Sequence, residues 1–200
     1  MKIYIDRYNR KFSIDEDKVD FSDLTKSFEL PVDFIRDYID KVDWDFISID
    51  YELSENEIEE FQDYVNWKSI SSSQDLSENF IRKHKDKLDW YSISLVQEMS
   101  EGFIEEFSEY INWDKLPCNK YVKMSEDFIE KHIDKLDIDA LVVFQKLSES
   151  FIKKYKDRID LDYINYNYLL VELLQKSVQN VMKDEIELIK LCDNIKIEQC

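Results

Sequence analysis

The groups in this chain with chemistry to offer are 45 carboxylates, the histidines His84 and His132, the cysteines Cys118, Cys192 and Cys200, and a recurring series of serines. Carboxylates act as a general acid and base only where a concave, desolvating pocket separates their pKa values. With 45 of them a pair can be nominated anywhere, so abundance singles out none. The histidines stand 48 residues apart, and no histidine or cysteine has a companion at zinc-ligand spacing. The cysteines form no CxxC pair and leave one thiol over under any single-disulfide scheme, which reads as free thiols in a reducing cytosol. A phosphate-cradling loop, a dinucleotide-binding turn and a nucleophile elbow all need glycine where the backbone takes positive φ or approaches a ligand closely. The chain has one glycine, Gly102. The expectation is a protein that is not an enzyme and that holds no cofactor and no metal.

The elements that would position any site are set by an internal repeat. LSENFIRKHKDKLDWYSIS begins at Leu76, and the same frame recurs from Leu30, Leu53, Met99, Met124 and Leu147, at intervals of 23, 23, 23, 25 and 23 residues. Ser54, Ser77, Ser100, Ser125 and Ser148 are placed as N-caps of a first helix, with hydrophobic staples such as Leu76 and Ile81 around them. Asp43, Asn66, Asp89, Asn112, Asp137 and Asp160 are placed as N-caps of a second. Two capped starts per unit predict a helix of about three turns followed by a shorter one. Units this small bury their apolar faces only by stacking. With only two prolines and 28 aromatic residues in 200, the fold class is all-α: a short α-solenoid of six ~23-residue two-helix repeats with atypical N- and C-terminal caps.

Residues 1–29 form an N-terminal cap with a half repeat in Val19, Asp20, Phe21 and Leu24, preceded by KIYIDRY, a short strand or an irregular cap. Residues 30–168 are the solenoid, and 169–200 a C-terminal helical cap. Pro117 marks a local bend. No apolar run approaches the roughly 20 residues of a membrane span, and MKIYIDRYNRKF lacks a signal core, so the expected location is cytoplasmic.

The unit LSExFIxKxxDKxDWxxIS resembles the short degenerate helical repeats of uncharacterised bacteriophage and large DNA virus proteins. The resemblance covers residues 30–168. It implies the architecture and a viral source, hence a host-cell cytoplasm, and brings no catalytic residues. The chain departs from the pattern at Ile138 and Leu161 in place of Trp and at Glu57 in place of Phe, which predicts looser packing of the final stack.

Within the frame, His84 and His132 occupy the slot of Tyr38, Phe61, Phe107 and Tyr155, which predicts structural rings two units apart. Trp44, Trp67, Trp90 and Trp113 follow the second caps and read as inter-repeat core. One carboxylate recurs ten residues after each start: Asp40, Asp63, Asp86, Glu109, Asp134 and Asp157. On a helical wheel it lies opposite the apolar face, so stacking is expected to align six charges. Residues 30–75 hold 13 acidic and 3 basic side chains, a sum of -10, whereas residues 76–98 hold 4 of each. Asp37, Asp43, Asp45, Glu57, Glu59, Glu60 and Asp63 lie in that dense patch. Copies with Tyr64 or Tyr110 alternate with copies carrying Lys41, Lys87 or Lys135, and the tyrosines are candidate interface anchors.

A net charge of -18 argues against direct nucleic-acid binding, which is driven by Lys and Arg. The expected partner is a basic protein, in its sharpest form a nucleic-acid-handling host defence or restriction protein whose basic site the carboxylates occupy. The alternative is a structural adaptor docking through its C-terminal helix. A monomer is favoured.

Overall fold

The computed structural model describes residues 4, 5, 11, 12, 14, 15 and 18–160. Among these are eleven α-helices, two 3₁₀ turns and one two-stranded pair, so the chain is all-α with a solenoid-like stacking of helices. The C-terminal cap, Leu161, Cys192 and Cys200 lie outside the described residues.

First helices of the copies are α2 Val32–Asp37, α4 Glu55–Glu60, α6 Glu78–His84, α8 Glu101–Glu106, α9 Glu126–Lys131 and α11 Glu149–Tyr155. Second helices are α3 Trp44–Asp50, α5 Trp67–Ser73, α7 Trp90–Val96 and α10 Ile138–Phe144. Before them, α1 Phe21–Ser27 is capped by Asp20 and packs on α3 as the expected half repeat. The KIYIDRY segment supplies one strand, β1 Tyr4–Ile5, antiparallel to β2 Lys11–Phe12. Tyr4 covers the open end of the stack, its ring 4.7 Å from that of Phe34.

The first helices are shorter than the expected three turns, at 6 or 7 residues. Tyr38, Phe61, Phe107 and His132 leave helical geometry as C-caps, with φ from -102 to -124°. The chain then turns back on itself: Tyr64 N–H donates to Phe61 O at 2.9 Å and Val65 N–H to the same oxygen at 3.1 Å. That turn delivers the apolar residue which a continuous wheel would place further along the helix. Val42, Val65, Leu88, Ile111 and Leu136 are all buried there.

Two columns of branched aliphatics form the core. One runs through Ile35, Ile58, Ile81, Ile104 and Ile129 of the first helices, the other through Ile47, Ile70, Ile93, Leu116 and Leu141, and none exceeds 2% exposure. Each buried side chain contributes roughly 1.5–3 kcal/mol of transfer free energy. Successive second elements pack directly on each other: α3 on α5, α5 on α7, α7 on the 3₁₀ turn Leu116–Cys118, and that turn on α10. The 3₁₀ turn stands where copy four would place its second helix. Pro117 has no N–H for a helical ladder, so the expected bend is local.

Three polar columns run through the same stack, and none of them is obvious from a single copy. Gln97 donates through Nε2 to Ser71 O and Gln74 O at 3.1 and 2.7 Å and accepts Leu76 N–H at 3.0 Å. Gln74 does the same to Ser48 O, Tyr51 O and Leu53 N–H. Tyr51 fills the slot one copy earlier, donating to Thr25 O and Phe28 O and accepting Leu30 N–H. Burial pushes its hydroxyl up to about 12, so it remains a donor. Asn119 and Gln145 continue the donor pair upward.

In the second column, Ser48, Ser71 and Ser94 are fully buried. Each donates to the carbonyl four residues back and accepts the N–H of the next copy's second N-cap, Asn66, Asp89 or Asn112, at 2.9 Å. In the third, Glu55, Glu78, Glu101 and Glu126 accept the N–H of the next copy's capping serine. Copy one has Val32 at this place, so Ser54 has no such acceptor. Glu57 provides one from within its own helix, completing a capping box. Glu57 thus supplies the acceptor for the Ser54 amide that Val32 cannot.

Gln97→Leu removes one acceptor and two donor contacts from a buried junction. We expect it to lower unfolding free energy by about 2–4 kcal/mol, read from urea denaturation. A loss below about 0.5 kcal/mol would contradict the column's structural role.

Candidate protein-binding face

The six recurring carboxylates lie in the turn that follows the first helix of each copy, not on a helix wheel as expected; Asp157 lies in a 3₁₀ turn, Lys156–Arg158. All six are exposed. Tryptophan anchors four of these turns. Nε1 of Trp44, Trp67, Trp90 and Trp113 donates to Ile39 O, Gln62 O, Lys85 O and Ser108 O at 2.7–3.0 Å, each the carbonyl just before the carboxylate. Copy five has Ile138 in place of Trp and no indole to make this bond.

Each indole is in turn covered by the following copy, so its place is inter-repeat core as expected. Trp44 meets Phe61 and Tyr64 at 5.0 and 5.6 Å between ring centroids, and Trp90 meets Phe107 and Tyr110 at 5.3 and 4.9 Å. Trp67 instead meets His84 at 5.0 Å and the Lys87 ammonium at 4.9 Å, and Trp113 meets His132 and Lys135 at 4.7 and 4.8 Å. The tyrosine/lysine alternation is therefore a choice between ring stacking and cation–π contact on the same indole. Tyr64 and Tyr110 keep 40% and 41% exposure, so each is both a lid and an accessible surface. The two histidines sit in separate interfaces as tilted rings, 4.4 and 4.7 Å from Phe80 and Phe128.

The structure divides the acidic candidates into two groups. Asp40, Asp63, Asp86, Glu109 and Asp157 make no hydrogen bond or ion pair among the described residues. Asp134 reaches Arg158 only at 3.7 Å and is itself 93% exposed. The remaining candidates are engaged within the fold. Asp37 accepts the Tyr4 hydroxyl at 2.7 Å. Asp43 caps α3 and pairs with Lys26, and the Phe46 amide does most to hold its carboxyl below the usual range. Asp45 accepts Asn66 Nδ2 at 2.8 Å. Glu59 pairs with Lys83 and lies 3.4 Å from His84, while Glu60 pairs with Arg36. The dense patch read from residues 30–75 is correspondingly less available than its composition implies.

Among the described residues no group of three or more His, Cys, Asp or Glu is arranged to hold a metal. A shallow depression of about 410 Å³ is lined by Ser72, Gln74, Asp75, Gln97, Cys118 and Tyr121. Its two glutamines are occupied by the backbone contacts described above. No helix of the described residues is long and apolar enough to cross a membrane.

Glu59, Glu60 and Glu105 have carboxyls held below the ordinary glutamate value, chiefly by hydrogen bonds from Lys83, Arg36 and Lys131 respectively. A carboxylate whose folded pKa is depressed adds stability above its unfolded pKa and loses it as pH falls through the folded one. The urea midpoint should therefore fall between about pH 5 and pH 3, and fall less in a Glu59→Gln, Glu60→Gln, Glu105→Gln variant. Parallel pH profiles would contradict the assignment. No protein-family model, curated protein or solved structure matches the chain.

Proposed function

We propose that this protein is a non-enzymatic binding module that presents the turn edge of its solenoid to a basic partner protein. The observation that carries the reading is a contrast between acids. Glu59, Glu60, Glu105, Glu106 and Glu130 on the first helices are paired with cations of neighbouring copies, whereas Asp40, Asp63, Asp86 and Glu109 recur on four successive tryptophan-anchored turns, exposed and without partners among the described residues. Carboxylates held at one repeat position cost little further ordering on binding, and a row of like charges steers a basic surface toward it. Tyr64 and Tyr110 stand beside Asp63 and Glu109 and add apolar contact area to alternate turns.

In its sharpest form the partner is a nucleic-acid-handling protein. The carboxylates then take the places of phosphates in its basic site, and the protein is an inhibitor of the viral type that the repeat resemblance implies. Support for this form is the regular recurrence of one charge per unit, together with the net charge of -18.

The test is affinity capture from host-cell lysate with the full chain and with an Asp40→Asn, Asp63→Asn, Asp86→Asn, Glu109→Gln variant. The account predicts that the parent retains basic nucleic-acid-binding proteins, released by about 0.5 M salt and displaced by added duplex DNA. The variant should retain at most about a tenth as much. Equal capture by the two baits, insensitive to salt and DNA, would overturn the proposal.

A further inference from the structure

Each of the five interfaces between successive copies carries an ion pair that joins the same two places, six residues after the start of one copy and seven after the start of the next; the fifth adds Asp134 with Arg158 at 3.7 Å. The pairs are Arg36 with Glu60, Glu59 with Lys83, Arg82 with Glu106, Glu105 with Lys131 and Glu130 with Lys154, at 2.5–2.9 Å. The signs are opposite every time, yet their direction changes. The basic member belongs to the earlier copy in the first and third interfaces, and the acidic member does so in the second, fourth and fifth.

Several other places in the interface do not distinguish one copy from another. Isoleucine fills the same first-helix place in copies one to five, and isoleucine or leucine the same second-element place. Glu55, Glu78, Glu101 and Glu126 accept identical serine amides, and Gln74 and Gln97 make identical three-point contacts. Two copies chosen out of order present matching apolar surfaces and matching caps. Near-identical tandem units are prone to mispairing during folding for this reason.

We propose that the alternating ion pairs are an ordering code that selects the immediate sequence neighbour and opposes stacking that skips a copy. Skipping one copy places Arg36 against Lys83, Glu59 against Glu106 and Arg82 against Lys131, three like-charge contacts; only Glu105 against Lys154 is favourable. All five native junctions are favourable. Skipping two copies is opposed only at Arg82 against Lys154, so the code has a period of two and acts on the nearest wrong neighbour. It acts in part between chains: a copy laid on its counterpart in another molecule places Glu59 against Glu60, Arg82 against Lys83, Glu105 against Glu106 and Lys153 against Lys154, while Arg36 against Asp37 and Glu130 against Lys131 are attractive.

The pairs are partly exposed, with side-chain exposures of 35–59%, so screening and side-chain entropy keep their net effect on stability small. Discrimination does not need a large native contribution. It needs a repulsive element in the competing arrangement where every other contact is equivalent.

The test separates order from stability in the full chain. A uniform variant carries Glu59→Arg, Glu105→Arg and Glu130→Arg with Lys83→Glu, Lys131→Glu and Lys154→Glu. Every native junction then keeps an Arg–Glu pair and the net charge is unchanged, but every one-copy skip becomes attractive as well. A second variant inverts the sign of all ten residues, which preserves the code. The uniform variant should keep a urea midpoint within about 10% of the parent's. It should refold from urea at least about threefold more slowly, with a monomer yield that drops as concentration rises through about 10 μM. The inverted variant should refold like the parent. The proposal is overturned if the uniform variant refolds with the parent's rate and yield, if its midpoint falls while refolding is unchanged, or if the inverted variant is equally impaired.

Discussion

A helix of seven residues cannot satisfy its own backbone. The first four amides and last four carbonyls of any α-helix lack intrahelical partners, so in helices this short most polar groups are terminal. The described part of this chain is built almost wholly from such pieces. Leaving buried backbone groups unpaired costs more than the apolar columns of isoleucine could readily offset. The fold therefore depends on side chains that reach across to a neighbouring copy: glutamine to helix-terminal carbonyls, serine to the next cap's amide, glutamate to the next capping serine. Short helices, stacking and the 23-residue period are consequences of one constraint.

That constraint also positions the surface. Because Phe61 and its equivalents end the first helix early, the chain must turn before the next N-cap, and the turn presents a carboxylate to solvent while the following apolar residue returns to the core. The indole that ties this turn down is clamped by rings or a lysine of the next copy. The turn edge is thus held by the same contacts between copies that hold the stack.

Much of this was legible in the sequence, and the parts that were not share a physical reason. The period, the capping serines, the second caps Asp43, Asn66, Asp89 and Asp137, the half repeat at Asp20–Leu24 and the packing role of the half-buried tryptophans follow from local patterns whose partners lie within a few residues, whereas Asn112, expected as a cap, begins no second helix. Helix length was misjudged because a wheel extends any apolar periodicity, and it cannot see that Tyr38 or Phe107 leaves helical φ and ψ. Gln74, Gln97 and Gln145 carry no local signal, since the carbonyls they donate to belong to the preceding copy. Copy-by-copy alignment would have exposed their shared place, with Tyr51 as the conspicuous substitute. The acidic patch was overestimated for a related reason: a sum over residues 30–75 leaves out Lys83 and Lys26, which lie outside it in sequence and pair with Glu59 and Asp43.

The claim that junction backbone is paired between copies is tested most directly by native-state hydrogen exchange. Asn66, Asp89 and Asn112 amides, each accepted by a buried serine of the preceding copy, lie at the starts of the second elements. The account predicts that they exchange within about tenfold of the core helix amides of Ile70 and Ile93, because opening them requires separating two copies. Exchange at the rate of unprotected loop amides would contradict it.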